Sequence, residues 1–176
     1  NIDEIYHSNL KIIYSEIIKY ASFAQENMTS IQQQEVADIK KSAKLIVEVL
    51  KDTRDIQKNV NFYLKSKNDY IKQEYNLLRK ELATILIDIN LLDSNETQLE
   101  KLTQLEVIKS TLIANDLSNT GKIDALIRED KIKATMATSL INDSATVYSI
   151  QKKLVEMASM LFLNNNLLKE IGDTQK

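Results

Sequence analysis

Apolar positions recur along this chain at spacings of three and four, the repeat that gathers them on one face of an α-helix. The clearest run lies in residues 133–162, where Met136, Leu140, Asp143, Val147, Ile150, Leu154, Met157 and Leu161 follow without a gap. Seven of these eight are apolar, and Asp143 is a carboxylate in the middle of the stripe. A second clean seam joins Ile71, Tyr75, Leu78, Leu82, Ile85, Ile89 and Leu92. The pattern predicts an all-α chain: an antiparallel bundle of four to five long helices, with Ile85, Ile89, Leu140, Val147, Ile150 and Leu154 in its core.

Taken in order, Ile2, Tyr6, Asn9, Ile13, Ile17, Tyr20 and Ala24 outline a first helix of about seven turns, ending near Asn27. Thr29 and Ser30 then offer N-caps, with Gln32 and Gln33 three residues on as capping-box partners. The second helix carries Val36, Ile39, Ala43, Leu45, Ile46, Val49, Leu50, Ile56 and Val60 up to a polar turn at 65–69. Asp93, Ser94 and Asn95 close the third, with Asn95 as the next cap and Gln98 in the box position. Leu99, Leu102, Leu105, Ile108 and Leu112 mark a fourth helix. Turn formers at 115–121 are expected to break or kink it before Ile123, Leu126 and Ile127 resume. The end beyond Leu168 is expected to fray.

Composition narrows the picture. The 176 residues suffice for one domain, 1–176, and include no proline, no cysteine and only two glycines. Helix breakers are nearly absent, and thiolate metal sites or thiol nucleophiles are excluded. A net charge of −2 argues against nucleic-acid binding, which needs a basic face. No apolar run approaches the roughly 18–20 residues of a membrane span. The chain opens on Asn1 already in helical register, so it is expected to be a piece of something longer.

Candidate chemistry centres on two seam aspartates. In the second helix Leu45, Val49, Asp52 and Ile56 repeat the four-three-four spacing, and Asp52 takes the slot that Asp143 has in the last. A charge there is costly unless it is paired or coordinated. Glu48 lies one turn before Asp52, with Asp55 nearby. Glu48, Asp52 and Asp143 are therefore the candidate ligands for a divalent cation, if antiparallel packing brings the two helices level. The alternative is polar pairing: a lysine or arginine, or Ser139, Asn142 or Ser144 beside Asp143. Polar pairing is the favoured expectation. His7, the one histidine, has no nucleophile in sight. Arg54 and Arg79 read as surface ion-pair partners, and Tyr63, Tyr70 and Tyr75 as packing around the second turn. No glycine-rich phosphate loop and no zinc-ligand spacing is present, so no enzyme is expected.

Two segments carry a resemblance. Residues 46–86 contain Lys51, Asp52, Lys58, Asn59, Tyr63 and Leu64, then Glu74, Tyr75, Arg79 and Leu82. Residues 123–162 contain Arg128, Glu129, Met136, Ala137, Thr138, Ser139, Asn142, Asp143 and Ser144. Together they resemble the PhoU-like cytoplasmic C-terminal region of bacterial Na/Pi-cotransporter family proteins, across a span that is roughly two-thirds of the chain, with 136–144 the specific part. The resemblance implies a regulatory helical domain of a sodium-dependent phosphate transporter on the cytoplasmic face of the bacterial inner membrane. It would contact the transporter membrane domain and a second copy of itself. PhoU proteins bind multinuclear iron or zinc clusters through E/D-x-x-x-D motifs. Glu48–Asp52 fits that motif once, but Ser139 stands four before Asp143, so a metal-free or single-ion bundle is expected. Two other classes share the helical pattern: the extracellular four-helix sensor domain of a chemoreceptor, and a structural surface bundle of a bacterial lipoprotein.

Overall fold

The computed structural model describes residues 2–25, 28–94 and 97–163. Helix α1 (Ile2–Ile5) runs through a π-helical turn (Tyr6–Leu10) into α2 (Lys11–Ala24). Four long helices follow: α3 (Ser30–Tyr63), α4 (Asp69–Ser94), α5 (Gln98–Arg128) and α6 (Ala134–Phe162). With α1 and α2 counted as one rod, the chain is a bundle of five long helices, and the described residues include no strand.

Local chemistry sets the boundaries. Thr29 caps α3 as its sequence predicts: its Oγ1 accepts from the Gln32 amide, and Gln32 Oε1 accepts from the Thr29 amide at 3.0 Å. The cap of α5 is Thr97 with Glu100 as its box partner, not Asn95 with Gln98. Asn95 lies outside the described residues. Helix α5 also runs unbroken through 115–121. Leu112 and Ile123, on the same face about three turns apart, are both buried and pin the helix on either side of the weak stretch. Packing outweighs propensity there. The α5–α6 turn closes with the Lys131 amide donating to the Leu126 carbonyl and Asp130 at φ 52°, the left-handed position that usually takes glycine.

Cross-helix contacts give the topology. Lys41 meets Glu156, Lys153 meets Asp52, and Tyr63 meets Ser139, so α3 and α6 run antiparallel. Tyr75 meets Asp143 and Glu81 meets Gln151, so α4 and α6 run parallel. Helix α6 packs on α3, α4 and α5, most extensively on α3. The six residues expected in the core are all buried. At the ends of its stripe the pattern weakens, with Met136 partly buried and Leu161 exposed.

The first rod departs from expectation. Among its described side chains only Ala21 is buried, and Ile13 and Tyr20, placed on the seam by spacing, face solvent. Helix α2 has α3 as its main neighbour, so only a narrow stripe through Tyr14, Ile17, Ala21 and Ala24 is covered. No helix among the described residues is long and apolar enough to cross a membrane.

Candidate functional site

Asp143 is buried, as its seam position requires, and its partner comes from α4. Tyr75, with no exposed surface, donates its hydroxyl to Asp143 Oδ2 at 2.6 Å, while Asp143 is 6% exposed. The Tyr75 ring stacks on Tyr63 of α3 at 4.6 Å between centroids and 23° between planes. The Tyr63 hydroxyl reaches Ser139 Oγ, one turn before Asp143, at 3.2 Å. Two hydrogen bonds, Tyr75–Asp143 and Tyr63–Ser139, are thus joined by the stacked rings of the two tyrosines, and tie α3, α4 and α6 together. Burial pushes the Tyr75 hydroxyl well above the usual tyrosine range, and the hydrogen bond to Asp143 and that residue's charge push the same way.

Nearby loops lock this end of the bundle. Asn68 Oδ1 accepts from the amides of Tyr70 and Ile71 at the start of α4, and its Nδ2 donates to the Lys131 carbonyl at 2.8 Å. The Lys131 ammonium sits over the Tyr70 ring at 5.4 Å. The α3–α4 and α5–α6 turns are therefore joined directly. Beside Tyr75, the buried Glu74 carboxylate pairs with Lys122 of α5 at 2.6 Å.

Asp52 has a different solution. Lys153 of α6 donates to Asp52 Oδ2 at 2.6 Å and lies 3.4 Å from Glu48 Oε2. Its hydrogen bond to Asp52 raises the Lys153 pKa, against a smaller opposing effect of burial. Glu48, Asp52 and Asp143, the candidate cation ligands, are not brought together. A lysine ammonium takes the place between the first two, and Asp143 lies about 15 Å of helix rise from Lys153. Among the described residues no three histidine, cysteine, aspartate or glutamate side chains group as metal ligands.

Other candidates take ordinary places. His7 is exposed and packs edge-on against Tyr6, Arg79 donates to Asn76 at 2.9 Å, and Arg54 pairs with Asp55 at 3.0 Å. Ser139 bonds Tyr63 rather than Asp143, and Asn142 is exposed. The tyrosine partner escaped the sequence reading because Tyr75 sits in an apolar seam and looks like packing alone. The signal available was a hydroxyl-bearing ring buried on one seam and an unpaired acid on another. Lys153 carried a weaker signal, a base on the flank of the last stripe. No protein-family profile, curated protein or solved structure matches this chain.

Proposed function

We propose that the chain is a PhoU-like accessory domain of a sodium-dependent phosphate transporter, acting on phosphate uptake from the cytoplasmic face of the bacterial inner membrane. One observation carries this. The residues behind the resemblance come from two separated segments, and four of them meet in one cluster: Tyr63, Tyr75 and Asp143, which are buried, and Ser139, which is half-buried. A motif scattered over 80 residues of sequence is thereby one structural unit, whose job is to hold α3, α4 and α6 in register.

The role is regulatory rather than catalytic. The Tyr75–Asp143 bond is buried, and the cluster's chemistry is that of two satisfied hydrogen bonds joined by stacked rings, which rigidify and specify packing. The domain works without a metal in this reading, because the Lys153 ammonium already stands between the Glu48 and Asp52 carboxylates that the PhoU pattern would offer to iron or zinc. A rigid bundle of this kind acts by docking, with the transporter membrane domain as its partner.

The parent reading frame is the first test. A multi-span carrier region encoded before Asn1 is the expected result. A single span followed by a signalling coiled coil would point to a receptor sensor domain instead. A lipid-attachment cysteine shortly upstream would point to a surface lipoprotein.

A further inference from the structure

Helix α2 carries an apolar stripe that the chain covers and a mixed one that it leaves exposed. The stripe through Tyr14, Ile17, Ala21 and Ala24 lies on α3. The other is Ile12, Glu16, Lys19 and Phe23, again at four-three-four spacing, and all four are exposed. Neither Glu16 nor Lys19 joins an ion pair among the described residues. Ile12 and Glu16 of this stripe, with Ile13 and Tyr20, line an apolar groove that is completed by Val36 and Ile39 of α3.

The exposed stripe is self-complementary. Read from either end it runs apolar, charged, charged, apolar, with the two charges opposite in sign. If a second α2 lies antiparallel on the first, with a two-fold axis beside Ile17 and Ile18, Ile12 falls on Phe23 of the other copy. Glu16 falls on Lys19 in the same register, and each pairing occurs twice. A two-fold interface requires this property, because one patch must complement itself.

The area is sufficient. Ile12, Ile13, Tyr20 and Phe23 of α2 and Ile31 and Ile39 of α3 are between 47% and 77% exposed. At about 200 Å² for a fully exposed large side chain they offer roughly 700 Å² per copy, close to the ~800 Å² per partner of a standard interface. We infer that the chain forms a two-fold dimer through antiparallel α2 helices, held by Ile12–Phe23 contacts and reciprocal Glu16–Lys19 ion pairs. The α2–α3 hairpins of the two copies then make a four-helix layer. This inference is independent of the transporter reading.

Sedimentation equilibrium of the 176-residue chain across a micromolar concentration series tests it. The expected species has twice the 20.2 kDa chain mass. Glu16→Lys alone, or Lys19→Glu alone, sets like charges together at both pairings and should weaken the dimer at least about tenfold. The double variant E16K/K19E exchanges the signs and should return affinity to within about threefold of the parent. Phe23→Ala, at another exposed position, should weaken the dimer without changing charge, and far-UV circular dichroism should show every variant as helical as the parent. A chain monomeric throughout, as expected if this face covers a membrane domain or a lipid surface, overturns the inference. So does a dimer indifferent to the single reversals, or a double variant that fails to recover.

Discussion

Changing Tyr75 to phenylalanine removes one oxygen from the core and leaves the ring, its stacking on Tyr63 and the helix seam in place. The lost bond is short, 2.6 Å, and it ends on a carboxylate that is 6% exposed. A hydrogen bond to a charged group contributes about 1.5–3 kcal/mol, and a buried acceptor left without its donor carries its desolvation penalty unrelieved. Tyr75→Phe should therefore destabilise the chain by about 2–3 kcal/mol, or roughly 5–10 °C in melting temperature for a chain of this size. Urea unfolding followed by far-UV circular dichroism measures this, with the slope of the transition unchanged. Asp143→Asn keeps an acceptor in place and should lose only about 1 kcal/mol. The double variant Y75F/D143L removes both polar partners and should recover much of the loss, since replacing a buried pair by apolar groups is close to neutral.

The pH dependence has a definite sign. The Tyr75 hydroxyl titrates higher in the folded chain than in the unfolded one, so above pH ~10 the unfolded state releases a proton that the folded state keeps. Stability from this group is complete below that pH and falls as pH rises, by up to about 1.4 kcal/mol per pH unit. The difference between parent and Tyr75→Phe should narrow accordingly above pH ~10. A loss below about 0.5 kcal/mol in Tyr75→Phe at neutral pH would mean that Asp143 is satisfied some other way, and the pairing argument would fail.

Further expectations can be checked with the same unfolding assay. Lys153→Met strands the Asp52 carboxylate and leaves Glu48 with Lys44 alone at a partly exposed site, and should lose about 1–2 kcal/mol, with a salt dependence that the parent's core does not share. Gly121→Ala should stabilise by about 0.5–1 kcal/mol, because Gly121 lies inside α5 and an added Cβ meets nothing within 4 Å. A chelator should leave the melting temperature of the purified chain unchanged, and stoichiometric iron or zinc that departs in Asp52→Asn would contradict the ion-pair account.

The seams of α4 and α6 were legible because each helix buries one continuous stripe against several neighbours, and spacing alone identifies such a stripe. Helix α2 was misread because it packs mainly on one helix. Four positions of the expected seam lie in α2, yet only Ile17 and Ala24 of them share the covered stripe, which is narrow and centred on the small Ala21. The break expected at 115–121 was a statement about local propensity, and the burial of Leu112 and Ile123 decided otherwise. Asp143 was legible as a problem, because an acid on an apolar stripe must be compensated. Its solution was not, since Tyr75 stands 68 residues away and only the parallel packing of α4 on α6 brings the two together. Asp52 looked equivalent from spacing, but it lies where α3 and α6 leave room for Lys153.

Sodium-driven uptake of radiolabelled phosphate by the full-length parent protein, with and without residues 1–176, tests the proposed role most directly. Cells expressing the truncated protein at matched levels in the membrane should differ from the parent in uptake rate or in its response to external phosphate. Identical uptake and identical response to phosphate supply in the two would contradict a regulatory domain of a phosphate transporter.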